Sequence, residues 1–281
     1  MVGGGVPRMK FDDLEARMRL FETAHDHQVL PGIFMVARLD GRGFTKLVRE
    51  RKKFEAPFDV RFRDWMLETT KHLMDCGFPV VYGYTQSDEI SLLFRRDIDV
   101  FGRKLRKYES ILAGEASARF ARLLDDHAAF DCRISQLPRE NDVVDYFRWR
   151  HEDAHRNALH GHCYWLLRSR GDSDRQATRK LEGKSIAERN EFLFQNGIQF
   201  NDLPSWQKRG QGLYYRDVEH TGIDQRDGHT VVTTRRRLYV EAELPLGMAY
   251  TEFLQQRISE AAPAKMARDE MADREETAPA E

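Results

Sequence analysis

The stretch "VVYGYTQSDEISLLF" (Val80–Phe94) sets two runs rich in β-branched and aromatic residues on either side of a tight turn. It reads as a β-hairpin, and its turn carries Ser87, Asp88 and Glu89. Turn formation needs only Asn-Gly or Asp-Gly at such a tip, so two adjacent carboxylates among apolar neighbours call for a further reason.

The flanking sequence supplies a topology. "GIFMVARL" (Gly32–Leu39) is a continuous apolar run ended by "DGRG", as expected of a buried strand. Phe58, Phe62, Trp65, Thr69 and Leu73 recur at helical spacing inside "PFDVRFRDWMLETTKHLMDCG", which Gly77 closes. After the hairpin, Phe101, Leu105, Leu112, Phe120 and Leu124 mark a second long helix, and "FDCRISQL" (Phe130–Leu137) a fourth strand. The order β-α-β-β-α-β is the split βαβ, or ferredoxin-like, pattern of an α+β fold, with both helices on one face of the sheet. In it the first and third strands are antiparallel neighbours. Asp40, at the exit of the first, then meets Asp88 and Glu89 at the start of the third.

Three converging carboxylates repel one another unless a cation compensates them. Hard oxygen ligands beside a phosphate suit magnesium. Two such ions a few ångströms apart can activate a hydroxyl and neutralise a leaving phosphate. Either Asp40 or Asp88 alone reads more simply as a turn cap; the converging set favours metal. In "RLDGRGF", Gly41 and Gly43 allow close approach of backbone to a ligand, and with Arg38 and Arg42 the stretch suits a triphosphate. Arg103 and Lys107 fall four apart near the start of the second helix, and Arg133 lies inside the fourth strand, where an unpaired guanidinium is disfavoured.

Composition frames these readings. The chain has 281 residues, 41% hydrophobic, enough for a core in one or two domains. Its net charge of -1 is an average, because Ser259–Glu281 is acidic, Ala- and Pro-rich and reads as disordered. "MVGGGVPR" has no apolar core of signal-peptide length, and no run approaches a membrane span. Three widely spaced cysteines suit a reducing cytoplasm. The expected organisation is a flexible segment 1–9, a catalytic unit 10–137, a helical and strand extension 138–258, and the tail 259–281.

"RLDGRGF", "YGYTQSDEISLLF", "FDCRISQLP", "DYFRWRHEDAHRNALHGHCYW" and "LEGKSIAERNEFLF" together resemble, in order, the signature blocks of the tRNA-histidine guanylyltransferase family. The likeness is greater to its bacterial guanylyltransferase-like, 3′-to-5′ polymerase branch. The resemblance implies a polymerase-palm domain, assembled as a homotetramer, that adds nucleotides to tRNA 5′ ends with Mg2+, ATP and GTP or another NTP. Carried over by position, Asp40, Asp88 and Glu89 are catalytic, with Asp40, Asp88 and the Gly41 carbonyl on two metal ions. Nucleotide falls to Arg38, Asp40, Gly41, Arg42, Gly43, Phe44, Thr45, Ser87, Asp88, Arg103, Lys107 and Arg133. The tRNA falls to His155, Asn157, Lys184, Arg189 and Asn190. Arg148, Arg150 and Lys180 are further candidates for RNA phosphates.

Some positions depart from the family pattern. Its "HINNLYN" block is here "HRNALHG" (His155–Gly161), its loop lysine is Ala56 unless Lys52 or Lys53 substitutes, and Arg189 replaces another lysine. Selectivity for tRNA-histidine is what these changes affect. Three competing readings exist. "HEDAH" (His151–His155) fits H-E-x-x-H, which places two histidines on one helix face for zinc. Its flanks are too charged for a protease cleft, and no third ligand has characteristic spacing. A non-catalytic RNA-binding palm has no need of the intact carboxylates, and a nucleotide cyclase leaves the region after Asp142 without a role.

Overall fold

The computed structural model describes residues 10–47, 54–223 and 230–261. The N-terminal segment, Lys52, Lys53 and most of the acidic tail therefore lie outside the described residues. The order of elements is α1 (Phe11–Thr23), β1 (Phe34–Gly41), the single turn α2 (Phe44–Lys46), α3 (Val60–Leu73), β2 (Val80–Gln86) and β3 (Glu89–Phe94). Then come α4 (Leu105–Leu124), β4 (Phe130–Leu137), α5 (Glu140–Ser169), α6 (Asp174–Leu181), α7 (Ile186–Phe194) and α8 (Ser205–Arg209). The ribbon β5 (Gln211–Ile223) and β6 (Thr230–Glu241) precedes α9 (Gly247–Ala261).

The sheet runs β4-β1-β3-β2-β5-β6, each neighbouring pair antiparallel. Its first four strands are in the ferredoxin-like order expected of the split βαβ pattern. Helices α3 and α4 cover one face, where Met66, Leu73, Leu112, Phe120 and Leu124 pack on Met35, Ala37, Leu39, Leu92 and Phe94. The extension does more than append a second region. It lengthens the sheet by β5 and β6, and it lays α5 and α9 on the opposite face through Val143, Phe147, Tyr250 and Leu254. That double cover explains why β1 and β3 carry apolar residues on both faces away from the site end, where Arg38, Asp40, Glu89 and Ser91 stand. A third cluster joins α5 to α6 and α7. The α6 and α7 starts are fixed by capping boxes, Ser173 with Gln176 and Ser185 with Glu188. Helix α1 buries none of its residues.

Three boundaries differ from the sequence reading, and two of them matter for the site. Strand β1 runs to Gly41 because Asp40 and Gly41 stay in the ladder, opposite Asp131 and Phe130 of β4. The Gly41 N–H also donates to the Asp88 carbonyl at 3.0 Å, so Asp40 is held in a strand and not in a turn. The second helix begins only at Leu105, because Phe101, Gly102 and Arg103 take left-handed backbone conformations (φ 52°, 58° and 56°) that no α-helix admits. The first helix is shorter at both ends, starting after Asp59, whose carboxylate accepts from the Arg61 N–H at 2.7 Å.

Candidate active site

Cross-strand register builds the site as two charged rows. Asp40 of β1 lies directly between Asp131 of β4 and Glu89 of β3. Two residues along, on the same face, Arg38 lies between Arg133 and Ser91. Like charges directly opposite destabilise a sheet, and the rows compensate each other diagonally. Arg38 Nη2 is 2.6 Å from Asp40 Oδ2, and its Nε is 3.4 Å from Glu89. Arg133 reaches Asp131 at 3.2 Å and Asp40 at 3.6 Å. The Arg133 guanidinium, unexplained as a strand residue, is thus paired and more than half exposed.

Helix α5 closes this edge from above. Arg150, only 6% exposed, donates to Glu89 Oε2 at 2.8 Å and to Asp153 at 3.3 Å. Asn157 donates to the same Asp153 carboxylate at 3.1 Å. Arg150 is therefore an anchor of the site, not a surface contact for RNA, and Asn157 spends its amide within the site as well. Burial raises the Glu89 carboxyl pKa even against Arg150 and Arg38.

Asp88 is the exception to this compensation. Among the described residues the Ser87 hydroxyl is the one other side chain that bonds its carboxylate, at 3.2 Å, and no basic side chain pairs with it. Burial, with the Asp40 charge adding to it, pushes its pKa up. Ser87 holds the turn in a left-handed conformation, φ 53°. Two clefts meet at this turn. One, about 320 Å³, is lined by Asp40, Asp88, Glu89, Arg150, Asp153 and Asn157. The other, about 400 Å³, is walled by aromatic rings including Phe44, Phe58, Phe62, Trp165 and Trp206 and also borders Thr45, Ser87 and Asp88. A flat apolar ligand fits the second while its charged end reaches the first.

Magnesium can be tested against this donor set. The oxygens are of the right kind, and Asp88 brings a carboxylate charge that no arginine offsets. Asp40 is engaged by Arg38, so an ion competes with that guanidinium for it. In keeping with these engagements, no group of three His, Cys, Asp or Glu side chains is gathered as a metal site among the described residues. The premise that three uncompensated carboxylates meet is therefore corrected: Arg38, Arg133 and Arg150 neutralise most of their charge. The residues fit a divalent ion at Asp88 and Asp40, with Glu89 held back by Arg150.

The remaining site candidates divide. Arg42 and Gly43 are exposed in the loop after β1, and Phe44 is buried against Phe62, Phe120 and Phe130. Arg103 does not join the site in this chain. It is 4% exposed, and its guanidinium donates to the carbonyls of Val29, Ile33, Arg96 and Ile98. Ile33 precedes β1 and Asp40 is its last residue but one, a separation of roughly 23 Å at strand rise. Lys107, one turn into α4, lies over the Phe101 ring at 5.7 Å, at that same far end. Lys184, Arg189 and Asn190 line neither cleft. Arg189 donates to the Leu181 carbonyl at 3.3 Å and Asn190 to that of Ile186 at 3.1 Å. His155 faces away from Asn157, into a separate groove on the other side of α5. The H-E-x-x-H histidines share that groove, but His151 stacks on Tyr250 at 4.4 Å and His155 meets the edge of Phe200.

Asp131, Arg150 and Asp153 were the residues that sequence reasoning left out of the site. The signals were present: "RLD" and "DCR" are opposed charge pairs at strand spacing, and Arg150 and Asp153 are three apart on one helix.

A family model described as tRNAHis guanylyltransferase matches residues 15–138, and one for the Thg1 C-terminal domain matches residues 141–275. The chain belongs to the tRNAHis guanylyltransferase family. A curated relative, the tRNA(His) guanylyltransferase of Debaryomyces hansenii, is 31% identical over 231 residues, covering 76% of this chain and 86% of its own. The probable tRNA(His) guanylyltransferase of Drosophila melanogaster is 32% identical over 203 residues, 69% and 71% of the two chains. A bacterial tRNA(His) guanylyltransferase-like protein solved with ATP superposes at a TM-score of 0.70 and 25% identity, over 87% of this chain and 99% of that one. A GTP complex of a protein so described gives 0.67 and 26%, over 88% and 99%. Membership of this guanylyltransferase family makes the chain a nucleotidyltransferase with nucleotides as substrates. No helix among the described residues is long and apolar enough to cross a membrane.

Proposed function

We propose that the chain performs template-directed 3′-to-5′ nucleotide addition at tRNA 5′ ends, a repair activity. The observation that carries the chemistry is Asp88, a half-buried carboxylate without a basic partner, set beside Asp40 at the junction of an acidic and an aromatic cleft.

Asp40 and Asp88, with the Gly41 carbonyl, would hold two magnesium ions. Bound there, magnesium lowers the pKa of an attacking 3′-hydroxyl and steadies a triphosphate. The residues of the chain do the rest. The aromatic cleft takes a base, placing the triphosphate beside Ser87 and the 40–45 loop. Arg38 and Arg133 alternate between Asp40 and the phosphate oxygens, since both lie within ion-pair reach of that carboxylate. Arg150 fixes Glu89 and favours its charged form against the effect of burial. In the first step the tRNA 5′-monophosphate attacks the α-phosphorus of ATP and pyrophosphate leaves. In the second, the 3′-hydroxyl of the incoming nucleotide attacks the activated 5′-phosphorus, losing its proton, and AMP leaves.

Templated addition is favoured over a single guanosine on tRNA-histidine by the altered "HRNALHG" block. Its Asn157 donates an amide hydrogen bond to Asp153 inside the carboxylate site. Base pairing then selects the nucleotide, while phosphate contacts hold the tRNA without reading its sequence. The names of the relatives favour the single-guanosine reading. A competition decides between them. A tRNA lacking its first nucleotide and an intact tRNA-histidine are offered together with all four nucleotides. We expect the truncated tRNA to be extended with the Watson–Crick nucleotide, and faster. Preference for tRNA-histidine that is lost on changing its anticodon would overturn this reading.

A further inference from the structure

Helix α1 turns an apolar stripe to solvent. Phe11, Leu14, Met18 and Phe21 recur at three- and four-residue spacing, which sets them on one helix face. They are 74%, 42%, 43% and 74% exposed. The chain just after α1 is tied down by Asp26, which pairs with Lys104 at 2.8 Å and with Arg106 at the start of α4. Lys104 adjoins the Arg103 clamp, at the end of the sheet away from Asp40, and no α1 residue lines either nucleotide cleft.

Two physical arguments call for a cover on this stripe. Phe11 and Phe21 alone leave on the order of 300 Å² of apolar surface in water, the size of patch that marks an interaction site. A lone helix of 13 residues is also marginal in water, and helices in proteins are held chiefly by packing of an apolar face. Helix α1 buries no residue that could supply such packing.

The sequence narrows the occupant. The segments outside the described residues, 1–9, 48–53, 224–229 and 262–281, contain no leucine, isoleucine, phenylalanine, tyrosine or tryptophan. None of them offers a matching apolar face, whereas the stripe matches itself. Laid antiparallel about Ala16, two copies set Phe11 of one against Phe21 of the other, and Leu14 against Met18. Asp13 and Arg17 flank the stripe on one side, Glu15 and Arg19 on the other. Glu15 and Arg19 already pair within the helix at 2.6 Å. Antiparallel packing brings each of these acids beside the matching base of the other copy, so neither flank meets unbalanced charge.

We propose that α1 is a homotypic interface, in which two copies of this chain pair through Phe11, Leu14, Met18 and Phe21 of antiparallel helices about a two-fold axis. The family resemblance implies four copies without saying which surface joins any of them.

The test uses the full chain. Sedimentation equilibrium should show self-association, and Phe11→Ser combined with Phe21→Ser should raise the dissociation constant of this contact by about 100-fold or more. Because both side chains are exposed within one copy, the denaturant midpoint at a dilution where the native chain is dissociated should not change. Position is read by placing photoreactive benzoylphenylalanine at position 11 and irradiating a mixture of 15N-labelled and unlabelled chains. We expect cross-linked peptides of mixed label that join position 11 of one copy to the region of Phe21 in another. Cross-links from position 11 into residues 1–9 or 262–281 of its own copy would give the stripe to the chain's own ends and end the proposal. A native chain that sediments as a monomer, or a double variant of unchanged assembly, would do the same. Cross-links joining position 11 to position 11 would overturn the antiparallel arrangement. No readout depends on nucleotide addition, so the transfer reading and this interface fail separately.

Discussion

Arg150 of α5 and Glu89 of β3 form an ion pair at 2.8 Å in which the arginine is almost wholly enclosed. Truncating one member of a buried pair leaves the other charge stranded, at a cost of about 3–5 kcal/mol. Glu89 keeps Arg38 at 3.4 Å, which places Arg150→Met at the low end, about 3 kcal/mol. Urea unfolding measures this, and the double variant Arg150→Met/Glu89→Gln should recover much of the loss. Simple additivity of the two changes would show that the pair does not couple α5 to the sheet.

Asp88 offers the opposite trade. Its carboxyl holds a proton more tightly in the folded chain than in the unfolded one, because it is buried beside Asp40. Folding therefore carries an ionisation cost at neutral pH that is absent in acid. In magnesium-free buffer Asp88→Asn should be more stable than the native chain at pH 7, with the gap closing as pH falls into the carboxylate range. The same variant should lose nucleotide addition by about 100-fold or more while still binding tRNA. An Asp88→Asn protein that is less stable and fully active would remove Asp88 from the site.

The parts of this site that were legible in the sequence are those set by strand order. Apolar runs, helical spacing and turn residues carry the βαββαβ order, and that order alone brings Asp40 against Glu89. What was illegible depended on cross-strand register and on rotation about helices. Asp131 joins the row only because β4 pairs with β1 so that it stands opposite Asp40. Arg150 and Asp153 sit in a charged stretch that reads equally as a solvated helix face, and only the packing of α5 on the sheet turns them inward. Arg103 looked like a ligand residue because helical spacing cannot reveal three left-handed residues, Arg103 among them, that delay the start of the helix to Leu105.

Acid should loosen the α5–α9 contact. Burial, helped by Arg209 and His155, lowers His151 from 6.5 to about 4, so the folded chain keeps this ring neutral. Unfolded histidine takes up a proton below its ordinary value, so the stability tied to a neutral His151 is present above pH 6.5. It falls as pH drops toward about 4, by up to about 3 kcal/mol. His155, His160 and His162 shift the same way, so the informative quantity is a difference. Denaturant midpoints at several pH values should fall less steeply for His151→Phe than for the native chain. Parallel profiles would mean that His151 titrates normally.

Arg103 is a structural clamp, and substitution separates that role from ligand binding. Its guanidinium satisfies four carbonyls from the turns preceding β1 and α4. Lysine has the charge without the planar fork, so Arg103→Lys strands some of those carbonyls and should cost about 2–4 kcal/mol. At temperatures where the variant is folded, its KM for ATP should match that of the native chain. A raised KM with native stability would return Arg103 to the triphosphate.

Gly41 links the fold to the chemistry through a ring. A Cβ at this position would lie 2.4–2.8 Å from atoms of the Phe44 side chain. Phe44 cannot give way freely, because it is wedged between Phe120 and Phe130 with ring centroids 5.0 Å from each. Gly41→Ala should therefore cost about 1–3 kcal/mol by overpacking, and the strain falls on the loop that joins Asp40 to Thr45. Gly43 is different: its φ of 70° favours glycine, yet a Cβ there meets nothing within 4 Å. Gly43→Ala should cost a comparable 1–2 kcal/mol through the backbone alone and leave Phe44 in place. Compared at equal folded fraction, Gly41→Ala should lose far more nucleotide addition than Gly43→Ala, and adding Phe44→Leu to Gly41→Ala should restore part of the stability. Equal activity in the two alanine variants would show that the position of Phe44 does not govern the geometry of Asp40.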